Sequence, residues 1–137
     1  MNISNLSFEK RLEFEDRSLK KEISLPENKR IVDNYIREDN TFILQFSIKN
    51  ESFTLKCILD RVKRPNCYWV GPAPDHRFYK NDNNGEVTPN KKTNLANTRF
   101  GIYSFWYTPD KTIIDIIERI KHSMTPEGEK EMSDGMY

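Results

Sequence analysis

The sequence lacks the motifs that most nucleotide-binding and many hydrolytic enzymes carry. It contains no G-x-x-x-x-G-K-[ST], no G-x-G-x-x-G, no G-x-S-x-G and no H-E-x-x-H. Its 5 glycines in 137 residues also leave little material for a backbone phosphate cradle. These absences argue against nucleotide hydrolysis, dinucleotide redox chemistry, serine hydrolases and zinc proteases.

Long apolar runs are absent as well, and 31% of the residues are charged, which argues against a membrane-spanning protein. The first residues, MNISNLSFEK, contain no apolar segment of the kind that secretory signal peptides have. We therefore expect a cytoplasmic protein with no membrane partner.

Cysteine and histidine are scarce, and the chain has only Cys57, Cys67, His76 and His122. Their spacing contains no C-x₂-C or H-x₃-H pair, which structural zinc sites usually have, so we predict no metal and no cofactor. A disulfide between the two cysteines is compatible with the sequence, but a domain of this size does not need one.

The length of 137 residues is typical of one domain, which would bury roughly two thirds of its unfolded surface. The chain has 13 Asn, 13 Lys and 13 Ile but only 2 Ala. This bias indicates an AT-rich genome, such as that of a low-GC bacterium or a phage.

Two segments alternate apolar and polar residues as half-buried strands do. The apolar sets are Phe42, Leu44, Phe46 and Ile48, and then Phe53, Leu55, Cys57 and Leu59. Asn50-Glu51 between them predicts a hairpin turn, so the two strands should pair antiparallel. Residues 67–70 and 99–107 are further strand candidates, and the Asn-rich residues 80–97 predict a long loop.

Helical spacing appears at both ends of the chain. Residues 7–23 predict a charged amphipathic helix, and Ser24 predicts the start of a second, short helix. The apolar stripe of that second helix would be Ile31, Val32, Tyr35 and Ile36. Thr108-Pro109-Asp110 predicts the start of a C-terminal helix, whose buried stripe would be Ile113, Ile117, Ile120 and Met124.

Together these elements predict an α+β fold, with an antiparallel sheet of about three to five strands and helices packed on one face. Pro126 should end the last helix. We expect residues 1–124 to form a single compact domain and residues 125–137 to form a disordered acidic tail.

The most distinctive segment is residues 61–107, which we call the basic aromatic region. It holds 9 of the 16 aromatic residues and has 8 basic against 3 acidic residues, a net charge of +5. The rest of the chain has 14 basic and 18 acidic residues, a net charge of −4. Interleaved aromatic and basic side chains are typical of surfaces that stack on bases and neutralise phosphates, and also of protein–protein hot spots.

The leading interpretation is a small non-enzymatic binding domain whose basic aromatic region contacts an anionic macromolecule, either nucleic acid or an acidic protein surface. The candidate binding residues are Arg61, Lys63, Arg64, Tyr68, Trp69, Lys91, Lys92, Arg99, Tyr103 and Tyr107. The near-neutral total charge of +1 weakens the nucleic-acid version, because dedicated binders are usually strongly basic. Another non-enzymatic alternative is a compact inhibitor or immunity-type protein that plugs a partner's pocket.

An enzymatic alternative rests on one local cluster, His76, Arg77, Tyr79 and Lys80. Histidine can transfer protons near neutral pH, and adjacent cations can stabilise charge that develops on a phosphate. These are the groups that a small metal-independent ribonuclease of toxin type needs.

This alternative predicts that His76→Ala lowers RNA cleavage roughly 10²–10⁴-fold, the usual contribution of a positioned acid–base group. The melting temperature should stay nearly unchanged. Cleavage of labelled RNA with and without divalent metal measures the effect. Wild-type protein that leaves the RNA intact would exclude the ribonuclease.

Overall fold

A computed structural model of the chain describes residues 3–59, 65–71, 74 and 111–133. Short 3₁₀ turns occur at Ile3–Asn5 and Glu27–Lys29. The helices are α1 (Phe8–Ile23), α2 (Ile113–Ser123) and α3 (Pro126–Ser133), and the strands are β1 (Asn34–Glu38), β2 (Thr41–Ile48), β3 (Glu51–Leu59) and β4 (Pro65–Trp69). The fold is α+β, as predicted. Within the described ranges, no helix is both long and apolar enough to span a bilayer.

The four strands form an antiparallel meander in the order β1-β2-β3-β4. The β2–β3 hairpin is confirmed, but its turn consists of Lys49 and Asn50, one residue earlier than predicted. Both residues have positive φ, 53° and 67°, as a two-residue hairpin loop that follows the twist of its strands requires. Asp39 in the β1–β2 turn has a φ of 55°, a conformation that Asp tolerates better than most residues.

The second short helix is a wrong prediction, because residues 34–38 form strand β1. Tyr35 pairs with Leu44 and Ile36 pairs with Ile43, so the two residues lie on opposite faces of the sheet. The side chain of Ile36 is 66% exposed. Pairing with β2 has overridden a helical spacing that spans only a few residues.

The inner face of the sheet is the apolar face, and all eight inward residues predicted for the hairpin are buried. They form one cluster with Leu12 and Leu19 of α1 and with the buried residues of α2. The contribution of α2 is Ile113, Ile116, Ile117 and Ile120. Met124, predicted for this stripe, is only partly buried at the helix end.

Helix α2 starts at Ile113, and its cap is Thr112 rather than the predicted Thr108. The Thr112 hydroxyl accepts a hydrogen bond from Asp115 N (3.1 Å), and the Asp115 carboxylate accepts one from Thr112 N (3.0 Å). This capping box satisfies two N–H groups that the start of a helix leaves open. Thr108-Pro109-Asp110 lies outside the described residues, as do the predicted loop 80–97 and strand 99–107.

Helix α3 occupies part of the segment for which the sequence predicts a disordered tail. Pro126 is the first residue of this helix, a position where its missing N–H costs nothing. The Thr125 hydroxyl donates to His122 O (2.7 Å) and accepts from Gly128 N (3.1 Å), which makes the α2–α3 corner tight. A Cβ on Gly128 would lie 1.9 Å from His122 O, so only glycine fits there.

The buried stripe of α2 predicts unequal effects of two neighbouring substitutions. Ile117 is fully buried in the core cluster, whereas Glu118 is exposed. Ile117→Ala should lower the free energy of unfolding by about 2–5 kcal/mol, through lost burial and a cavity. Glu118→Ala should change it by less than about 0.5 kcal/mol. Urea denaturation of both variants measures the difference, and equal midpoints would contradict the assigned face.

Candidate functional site

Strand β4 is the part of the basic aromatic region that the structure describes best. It pairs antiparallel with β3, and Trp69 lies opposite Leu55 while Cys67 lies opposite Cys57. Trp69 and Cys67 are buried on the inner face. Tyr68 pairs with Lys56 in this register, so alternation assigns both positions to the outer face. The core therefore holds residues 65–69 of the region in place.

The burial of Trp69 corrects one predicted binding residue. Its ring centroid lies 6.0 Å from that of Phe46 and 6.1 Å from that of Phe53, in the interior of the cluster. A fully buried ring cannot contact a partner, so Trp69 contributes to stability instead. Alternation of inward and outward residues along 67–70 could have revealed this, because Cys67 and Trp69 share a face of any strand there.

The other predicted side chains are not brought together by any contact that the structure describes. Tyr68 is described only as a strand position. The remaining candidates lie outside the described residues and stay predictions: Arg61, Lys63, Arg64, His76, Arg77, Tyr79, Lys80, Lys91, Lys92, Arg99, Tyr103 and Tyr107.

A buried ion pair, which sequence analysis missed, fixes the chain just after the basic aromatic region. Arg11 and Glu15, one turn apart on α1, are 1% and 0% exposed. Arg11 donates from Nε and Nη2 to Glu15 Oε2, both at 3.2 Å, and from Nη2 to Lys111 O at 2.6 Å. Glu15 Oε2 also accepts from Ile113 N at 3.1 Å, the first N–H of α2. Helix α1 therefore holds the start of α2 directly.

The electrostatics of Glu15 reflect two opposing effects. Burial raises the pKa of Glu15 to about 7, while the Arg11 charge and the Ile113 N–H act to lower it. A carboxyl group with such a pKa could exchange protons near neutral pH. The Glu15 carboxyl group is enclosed, however, and its oxygens bind Arg11 and the α2 backbone. Its role in the structure is therefore to join two helices.

A second polar cluster joins α1 to β1. Tyr35 Oη donates to Asp16 Oδ1 (2.8 Å), and Lys20 Nζ lies 3.1 Å from Asp16 Oδ2. Burial and the hydrogen bond to Asp16 raise the pKa of Tyr35 to about 12. The hydrogen bonds from Tyr35 and Lys20 outweigh the effect of burial and lower the pKa of Asp16. Tyr35 thus stays protonated and Asp16 stays ionised at neutral pH, which suits a structural contact.

Among the described residues, two groups of side chains line surface cavities beside α2. One of about 280 Å³ lies between the β2–β3 turn and the α2–α3 corner, and its lining is Ser47, Ile48, Lys49, Lys121, Met124, Thr125 and Pro126. Burial lowers the pKa of Lys121, and its Nζ lies 6.0 Å from the centroid of the Phe46 ring. The other, of about 250 Å³, is lined by Lys111, Asp115, Glu118, Arg119 and His122.

Within the described ranges, no three His, Cys, Asp or Glu side chains lie together as metal ligands would. Comparison of the chain with protein-family models, curated proteins and solved structures finds no match. Any function must therefore be argued from the geometry and charge of the chain itself.

The raised pKa of Glu15 predicts a pH-dependent stability. The folded protein holds this proton more tightly than the unfolded chain, in which the pKa of Glu15 is near 4.5. The resulting contribution to the free energy of unfolding is therefore complete below pH 4.5 and is lost as pH rises through about 7. The free energy of unfolding should fall by on the order of 3 kcal/mol across this pH range. Glu15→Gln should remove this part of the pH dependence, because the amide group does not ionise.

Urea denaturation of the wild type and the variant between pH 5 and 8 provides the measurement. Glu13→Gln is the matched control, because Glu13 is exposed on the same helix and should leave the profile unchanged. Parallel profiles for the wild type and Glu15→Gln would contradict the assignment.

Proposed function

We propose that the chain is a non-enzymatic binding domain whose basic aromatic region contacts an anionic macromolecule, either nucleic acid or an acidic protein surface. The observation that carries this proposal is that buried groups hold strand β4, near the start of the region, and the chain just after the region. On one side β4 is part of the sheet, and on the other the Arg11–Glu15 pair holds Lys111 and Ile113.

Anchoring at these two places supports binding because it lowers the conformational cost of ordering a contact surface. Each rotamer-rich side chain that a complex immobilises costs about 0.5–1.5 kcal/mol, and further backbone ordering adds to that cost. Rigid scaffolds that position loops are a common arrangement for binding residues. The buried Cys67 and Trp69 supply such rigidity within the region itself.

The distribution of charge supports an anionic partner. The basic aromatic region has a net charge of +5 and the rest of the chain has −4. The total of +1 is therefore the sum of two segments of opposite net charge. Such a separation would attract a polyanion to one part of the molecule and repel it from the rest, which raises the association rate and selects orientation.

The structural roles of two titratable groups favour binding over catalysis. In the described part of the chain, Glu15 and Tyr35 both have raised pKa values, and each side chain joins α1 to another element. The raised pKa of each group is therefore explained by a structural contact, and neither requires a catalytic role.

Charge reversal tests the proposal. Arg61, Lys63 and Arg64 immediately precede β4, so changing all three to Glu should weaken binding of single-stranded RNA, single-stranded DNA or polyglutamate at least tenfold at low salt. Each lost phosphate contact should also reduce the slope of log K against log salt by about 0.7 for a single strand. Fluorescence anisotropy with labelled ligands measures both effects.

The matched control reverses Arg17, Lys29 and Lys130, which are exposed and lie outside the region. This variant has the same net charge as the first, so unequal binding separates a local contact from the total charge. The proposal fails if none of the three ligands binds at low salt, or if both variants bind as the wild type does. Binding of nucleic acid alone, or of polyglutamate alone, would identify the class of partner.

A further inference from the structure

The only two cysteines of the chain lie opposite each other in the core. Cys57 on β3 and Cys67 on β4 are 0% and 2% exposed, and their Sγ atoms lie 3.3 Å apart. Both are free thiols in the structure. Two sulfur atoms at this separation need only a small movement to form a bond.

The strand register is favourable for a cross-strand bond. Val70 N donates to Thr54 O (2.9 Å), which makes Thr54 and Val70 a hydrogen-bonded pair. Pairs alternate along antiparallel strands, so Cys57 and Cys67, three positions along, form a non-hydrogen-bonded pair. Cα atoms in such pairs are about 4.5 Å apart, which is within the range that disulfides span.

We propose that Cys57 and Cys67 form a redox site, which a low-molecular-weight disulfide converts into an intramolecular disulfide between β3 and β4. One cysteine thiolate attacks the reagent disulfide, forms a mixed disulfide and releases one small thiol. The second cysteine then attacks the protein sulfur of the mixed disulfide and releases the second small thiol. The two protein thiols lose two electrons and two protons, and the reagent gains them.

Burial determines how the site reacts. Burial, together with the neighbouring Cys67 thiol, raises the pKa of the Cys57 thiol, so little thiolate is present in the closed structure. Strand β4 has five residues and lies at one end of the described strand order, so it can open locally at lower cost than β2 or β3. Oxidation and reduction should therefore be slow and should accelerate under conditions that loosen β4.

The bond would close a short loop and join the start of the basic aromatic region covalently to β3. Cross-links of this kind stabilise a protein mainly by restricting its unfolded chain. The test requires no binding partner, so its result is independent of the proposed function.

The first experiment measures whether the fold favours the bond. Full-length protein is equilibrated in mixtures of reduced and oxidised glutathione, once folded and once in urea, and acid-quenched samples are analysed by mass spectrometry. The equilibrium constant for the disulfide should be at least tenfold larger for the folded chain, because native geometry holds the sulfur atoms together. An equal or smaller constant for the folded chain would overturn the proposal.

The second experiment identifies the product. Oxidation should reduce the number of titratable thiols from two to none in a monomer and raise the melting temperature by roughly 5–10 °C. The single variants Cys57→Ala and Cys67→Ala should instead stop at a mixed disulfide with glutathione. Disulfide-linked dimers, or wild-type protein that also stops at mixed disulfides, would refute an intramolecular site.

Discussion

The buried pair of Arg11 and Glu15 is the constraint on which the arrangement of the helices depends. A carboxylate and a guanidinium removed from water are costly unless their hydrogen-bonding groups find partners. Here those partners include the backbone of Lys111 and Ile113, about 100 residues further along the chain. The pair is therefore satisfied only when α2 begins beside α1. Loss of one member would leave a buried charge without compensation, which typically costs about 3–5 kcal/mol.

This constraint also explains how the sheet is covered. The inner face of β2 and β3 is fully apolar, and it needs helices whose apolar stripes face it. The ionic contact sets where α2 starts relative to α1, and the capping box at Thr112 fixes its first turn. Once the start is set, helical periodicity brings Ile113, Ile117 and Ile120 to one face. Polar contacts thus determine position, and apolar burial supplies most of the stability.

The sequence predicted the parts of the fold that depend on local periodicity. The alternation in β2 and β3 and the stripe of α2 are repeated over enough residues to be unambiguous. The stretch from Ile31 to Ile36 was too short to distinguish a helix from a strand, and pairing with β2 decided it. Thr108 and Thr112 are both acceptable caps, and only Thr112 has Asp115 three residues later, a pattern that sequence alone could have identified.

Less of the candidate site than of the fold could be predicted from the sequence. Arg11 and Glu15 are visible as an i, i+4 pair, but such pairs are usually exposed, and nothing local indicates burial against α2. Alternation predicts that Cys67 and Trp69 share a face. It does not predict that Cys67 lies opposite Cys57, because a shift of one residue in the β3–β4 pairing would separate them.

The two anchors of the basic aromatic region differ in chemistry, and this difference affects how variants should be interpreted. The α1–α2 junction is a buried ion pair in which burial raises the pKa of Glu15, whereas the β3–β4 pairing is apolar and contains both thiols. A substitution at either anchor acts first on the core. Reduced binding in such a variant would therefore come with reduced stability. A direct contact with a partner should instead affect binding alone, so the free energy of unfolding distinguishes a scaffold residue from a contact residue.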